Sequence, residues 1–182
     1  MIYESIQKLQ KLVNELFELS KLEANQVQPV KEPFFISELV SDISSKYQVI
    51  AKDKSITLNT ELSKEPQQVL ADVCLIERVM QNLIDNALKF TPTGGRIIIQ
   101  TSMAQRGIKV SVSDSGIGIA DKEKELVFGR YYKGHNFTEY KNNTGLGLAI
   151  AKKILDLRDS SLVLDSRINQ GTCFAFELPL YN

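Results

Sequence analysis

Asn82, Asn86 and Lys89 stand four and three residues apart, a spacing that puts all three on one face of a helix. An asparagine carbonyl is a hard, neutral oxygen ligand suited to Mg2+, which keeps waters and nucleotide phosphates as its other ligands. A lysine one turn further on supplies positive charge for a phosphate. Asp114, followed by Ser115, Gly116, Ile117, Gly118 and Ile119, offers a second chemistry. A carboxylate there can accept a hydrogen bond from the exocyclic amine of adenine. In an apolar pocket it disfavours guanine, which carries a carbonyl at that place. The glycines permit positive φ and close approach to a ring. Gly145, Leu146, Gly147 and Leu148 open a helix, where backbone N–H groups and the positive helix end suit a triphosphate. No Gly-Lys-Ser/Thr follows, so this is not a P-loop, and the Gly-x-x-Gly and preceding strand of a Rossmann fingerprint are missing. Each group also has a plainer reading: the polar flank of an amphipathic helix, a surface turn, and glycine relief at a loop-to-helix junction.

The elements that must position these groups are legible in outline. Residues 1 to about 25 read as one helix, with Ile2, Ile6, Leu9, Val13 and Leu16 at alternating four- and three-residue steps and Leu12 and Leu19 widening the stripe. Such a stripe has little of its own chain to pack against and implies a partner helix; a terminal helix folded back on the domain is the alternative. Pro29 and Pro33 end it. Phe34 and Phe35 suggest a short strand, and 37 to about 53 a helix with Leu39, Val40, Ile43, Tyr47 and Ile50 on one side. Ile56, Leu58, Thr60 and Leu62 alternate as a strand, and Asp72 caps a helix that runs to Phe90. Residues 96–103 and 108–113 read as a hairpin, 121–126 as a helical turn, and 129–144 as a loop without periodicity. A helix over 149–157 and strands at 162–164 and 173–178 follow. Helices with largely antiparallel strands predict an α+β, two-layer sandwich: a mixed sheet covered by helices on one face, plus an N-terminal helical extension.

The order of these groups (asparagine helix, acidic glycine turn, aperiodic stretch, second glycine turn) resembles the catalytic, ATP-binding domain of sensor histidine kinases. That family belongs with gyrase-type ATPases, Hsp90-type chaperones and MutL-type repair proteins. The resemblance implies ATP and Mg2+ as cofactors, Asp114 on the adenine amine, Asn86 as metal ligand, and Asn82, Asn86, Lys89 and Lys133 as the catalytic set. It also implies that Phe90, Gly116, Gly118, Ile119, Tyr132, Gly145, Leu146, Gly147, Leu148 and Thr172 lie against the nucleotide. Val127 to Lys133 is similar to the phenylalanine-containing box that begins the family's ATP lid, so 129–144 is expected to order over bound triphosphate. Lys133 stands where arginine is usual, and Phe90 where tyrosine is frequent. The stretch from Lys152 to Ser161 lacks the histidine and paired glycines often found there. On this resemblance residues 1–28 are the second helix of a dimerisation and phosphoacceptor domain with its linker, and 29–182 the catalytic domain.

The single histidine, His135, lies within the expected lid and lacks the surroundings of an acceptor histidine. The chain is therefore expected to be a fragment of a longer kinase that phosphorylates a supplied dimerisation domain but not itself. A receiver domain acts downstream, and the full-length parent is expected to be a homodimer. ATPases of the superfamily carry a glutamate where Asn82 stands. An ATPase or serine kinase, and a nucleotide-gated interaction module, are the alternatives. Lysines and arginines number 22, as do aspartates and glutamates, so nothing electrostatic points to nucleic acid. No apolar run approaches the roughly 20 residues that span a bilayer. A cytoplasmic location is implied, whether or not the parent is anchored in a membrane. Cys74 and Cys173 sit in apolar contexts and are expected to be reduced core residues.

Overall fold

The computed structural model describes residues 2–65, 67–132, 144–157 and 160–181, with the side chains of Ile2 and Glu4 excepted. Alternation along β4 (Arg96–Ala104) and β5 (Gly107–Asp114) sets the layers. Ile97, Ile99 and Thr101 on β4 and Ile108, Val110 and Val112 on β5 are buried, while Arg96, Gln100 and Lys109 point to the open face. With β2 (Thr57–Glu61), β6 (Val163–Arg167) and β7 (Gly171–Leu178) they form a sheet of order β2-β4-β5-β7-β6. Only the β2–β4 pair within it is parallel. β1 (Glu32–Phe35) pairs antiparallel with β3 (Gln68–Ala71) as a separate ribbon.

Three helices cover the apolar face: α2 (Ile36–Asp53) against β2, α3 (Val73–Phe90) against β5, and α4 (Gly147–Asp156) against α3. This is the expected α+β two-layer arrangement. Asp72 starts α3 by accepting from the Leu75 N–H at 3.1 Å, a cap worth about 1 kcal/mol. Its other oxygen accepts from Val30 N–H at 2.8 Å and ties the preceding linker to the same point. Ile76, Val79, Met80, Leu83, Ile84 and Ala87 form the buried side of α3. Apart from Ala87, each of these side chains contributes roughly 1.5–3 kcal/mol.

The first helix, α1 (Ile2–Glu23), carries two seams rather than one. Ile6, Leu9, Val13 and Leu16 are exposed, whereas Leu19 and Leu22 are buried and Leu12 partly so. The second seam packs on α4. The helix stops before the prolines, at Asn25 with φ 52°, a left-handed residue that asparagine tolerates. Four other expectations are corrected. β3 was not foreseen; Val69 and Ala71 bury one side of it. Ile50 is 45% exposed, because the core stripe of α2 runs through Ala51 instead. α4 begins at Gly147, two residues before the expected start. Cys74 is exposed in the first turn of α3, and Cys173 is half-exposed on the open sheet face, so neither is a core residue. Among the described residues no helix is long and apolar enough to cross a membrane.

Candidate functional site

The register of the sheet carries Asp114 to its place. Asp114 ends β5 opposite Ile97 on β4 and Thr172 on β7, so all three share the helix-covered face. One step further, Thr172 faces Ser166 on β6. The Asp114 carboxylate accepts from Gly116 N–H at 2.8 Å and from the Thr172 backbone N–H. Burial nonetheless pushes its pKa up to about 6, with the two N–H groups pulling the other way. Gly116 is pressed between two elements: a Cβ there would stand 2.4 Å from the Phe90 carbonyl oxygen and 2.7 Å from Asp114 Oδ1. Gly118 turns with φ 70° against Arg167. Ile119 then donates its N–H to Ser166 Oγ at 2.8 Å, and Ser166 also donates to the Gly171 carbonyl at 2.8 Å and meets Thr172 Oγ1 at 3.0 Å.

The other end of the site lies between α3 and α4. Asn82 is 6% exposed, and its Nδ2 is buried without a hydrogen-bond partner. Its Oδ1 would stand 3.2 Å from a Cβ on Gly147, so the glycine allows the first turn of α4 to approach. That turn has no side-chain cap, unlike the start of α3. A buried donor with no acceptor beside an uncapped helix start suits an anionic group. Asn86 and Lys89 are half-buried one and two turns further along α3. The Lys89 ammonium lies 4.2 Å from the centre of the Phe90 ring. Among the described residues no group of three or more His, Cys, Asp or Glu side chains could hold a metal. The Asn86 side-chain carbonyl is a hard oxygen of the kind that Mg2+ accepts alongside a ligand's own oxygens.

Asn82 and Gly147 are thus brought together at one end, and Phe90, Asp114, Gly116, Gly118, Ile119 and Thr172 at the other. Leu146 is fully buried, so only its backbone could face a ligand, and Leu148 is half-buried against the core. Tyr132 turns its hydroxyl to Glu123, donating at 2.8 Å. Phe128 packs edge-on against Phe174 with ring centres 6.2 Å apart, which anchors the start of the phenylalanine-containing box. Lys133, His135 and most of the expected lid lie outside the described residues. Ser166 and Thr144 were missed. Ser166 interrupts a short strand with one inward hydroxyl, a signal that gains meaning only once its partner Thr172 is known. Thr144 reads as a loop residue, yet it is buried.

Residues 71–182 match the family model described as histidine kinase-, DNA gyrase B-, and HSP90-like ATPase. Drug sensory protein A of Synechocystis is 34% identical over 184 residues, which cover 96% of this chain and 28% of that protein. The chain thus spans less than a third of that relative's length. Full-length ShkA in complex with AMPPNP has a similar fold, with TM-score 0.85 and 25% identity over 96% of this chain and 36% of that one. The histidine kinase ThkA in complex with the response regulator TrrA gives TM-score 0.80 and 26% identity, covering 99% of this chain and 49% of that chain.

Proposed function

The chain belongs to the family of histidine kinase-, DNA gyrase B- and HSP90-like ATPases, and from that premise we propose that it is the ATP-binding catalytic part of a sensor histidine kinase, which moves the γ-phosphoryl group of ATP to a histidine on a dimerisation domain. The observation that carries this reading is that α3 serves both ends of the site. Asn82 faces the first residue of α4, and the Phe90 carbonyl abuts Gly116 beside Asp114. The eight helical steps from Asn82 to Phe90 span about 12 Å at 1.5 Å each, a length over which a nucleotide extends from base to outer phosphates.

In this reading the Asp114 carboxylate accepts a hydrogen bond from the adenine amine, with Gly116, Gly118, Ile119 and the Thr172 hydroxyl around the ring. Asn82 Nδ2 donates to a phosphate oxygen and so gains the partner it lacks. The N–H groups from Gly145 to Leu148 and the cations of Lys89 and Lys133 add to that grip. Asn86 holds Mg2+ through its side-chain oxygen. Bound with the triphosphate, Mg2+ neutralises charge on the oxygens of the transferred group. Asn82 cannot take a proton at neutral pH, so it does not activate water, and transfer to an acceptor side chain is favoured over hydrolysis. Residues 1–28 are the end of a dimerisation helix and its linker, with the catalytic domain over 29–182. The parent protein is a homodimer whose catalytic part is cytoplasmic, and it passes the phosphoryl group on to a receiver domain.

Incubation with labelled ATP and Mg2+ tests this directly. The chain alone should acquire no acid-labile, base-stable phosphate, and a supplied dimerisation domain bearing an acceptor histidine should become labelled. Self-labelling at His135, or rapid ATP hydrolysis without an acceptor, would overturn the assignment.

A further inference from the structure

We propose that Glu15 of α1 is a positioning residue for the second glycine turn: its carboxylate fixes the Thr144 hydroxyl, and through it the backbone that enters α4, so the grip on a triphosphate depends on how α1 is docked. The proposal rests on the reading of Gly145 to Leu148 as phosphate-facing.

Glu15 lies in the second seam of α1, between Leu12 and Leu19. A leucine there would serve packing, yet the position holds a carboxylate that is 5% exposed. A charge so placed is costly unless it is partnered. Glu15 Oε2 accepts from the buried Thr144 hydroxyl, and the same Thr144 oxygen accepts from the Leu146 N–H at 3.4 Å. The chain of donors therefore runs from the backbone of the turn through Thr144 to α1, each bond polarising the next. Lys11 at 3.8 Å and Arg78 at 4.0 Å offset the charge of Glu15. Arg78 is itself held to α1 by a two-pronged pair with Glu18, at 2.8 to 3.1 Å.

The turn is fixed from its other side as well. Gly145, with φ 74°, lies so close to the backbone of Tyr131 that a Cβ would stand 2.8 Å from it. Tyr131 donates its N–H to the Gly145 carbonyl at 3.0 Å. The neighbouring Arg130 pairs with Glu23, two turns along α1 from Glu15. One helix thus holds both stretches of chain that meet at Gly145. A tilt or slide of α1 moves Thr144 relative to Asn82, and by reciprocity a bound triphosphate tightens the docking of α1.

Binding of a fluorescent ATP analogue with Mg2+, and of adenosine, to the whole chain separates this role from mere stability. Glu15→Ala and Thr144→Val should each weaken the ATP analogue about tenfold, the effect of one lost charged hydrogen bond, and leave adenosine within about twofold. The double variant should be no weaker than either single one, since both remove the same bond. Glu15→Gln and Thr144→Ser, which retain an acceptor and a hydroxyl, should stay near the wild type. Should Glu15→Ala fail to fold, Thr144→Val carries the same test. Unchanged affinity for the ATP analogue, parallel loss of both ligands, or additive losses in the double variant would each overturn the proposal. A wild-type chain that binds neither ligand would instead remove the functional reading on which it stands.

Discussion

At the sheet end of the site Asp114, Ser166 and Thr172 are all partnered: two backbone N–H groups hold the carboxylate, and the Ser166 hydroxyl joins β6 to β7 and to the loop at Ile119. At the helix end Asn82 Nδ2 has no partner and α4 starts without a cap. On the proposed reading the sheet end would meet the base with little rearrangement. The helix end carries an unsatisfied buried donor, a cost of about 1–3 kcal/mol that, on the proposed reading, an incoming phosphate oxygen would relieve. Base recognition and phosphate grip should therefore respond to different substitutions, and only the second should depend on metal and on α1.

The largest expected effect is at the helix end. Asn86→Ala should lower phosphotransfer to a supplied acceptor domain by roughly a hundredfold or more through loss of the metal ligand, while adenosine binding stays as it was. Full Mg2+-stimulated transfer by this variant would erase the division between the ends. Asn82→Ala sharpens it further. Triphosphate affinity should fall by about 1–2 kcal/mol, yet the unliganded protein should keep its melting temperature, since the lost packing is offset by removal of an unpaired donor. A marked loss of stability without ligand would mean that Asn82 serves the fold and not the phosphate.

Part of this arrangement is legible in the amino-acid sequence. Asp72 as a cap, the apolar side of α3 and the alternation of β4 and β5 each follow from one local rule, so their places hold. The spacing of Asn82, Asn86 and Lys89 needs nothing more than a helix. What escaped reading depends on partners distant in sequence. β3 is four residues long and exists because β1 and Leu180 pair with it. Ser166 matters through Thr172, and Glu15 looks like a surface charge until Thr144 lies against it. Gly147 reads equally as glycine relief at a loop-to-helix junction until Asn82 makes a side chain there a crowding neighbour.

The protonation of Asp114 probes the sheet end alone. Its pKa is about 6 because burial disfavours the carboxylate, so adenosine affinity should be flat above pH 7 and fall toward about tenfold per unit well below pH 6. Adenosine is the ligand to use, because its affinity is free of phosphate titration. Asp114→Asn should flatten the profile; a pH-independent wild type would detach Asp114 from the base.

A smaller effect follows for stability. The folded pKa lies above the unfolded value near 4, so the protonated form stabilises the fold below that value, and this is lost as pH rises through about 6. Unliganded Asp114→Asn should then be more stable than the wild type by about 1 kcal/mol at pH 7.5 and gain nothing at pH 4. Chemical denaturation at the two pH values measures this, and an advantage at pH 4 alone would reverse the sign.

Competition titration of ATP and GTP against a fluorescent adenine nucleotide, in the wild type and in Asp114→Asn, tests most directly whether this is an adenine site read by one carboxylate. The wild type should prefer ATP. The variant, with its acceptor turned partly into a donor, should bind ATP more weakly by about 1–3 kcal/mol and lose most of its preference over GTP. A folded Asp114→Asn that binds ATP as tightly as the wild type and still rejects GTP would contradict the account.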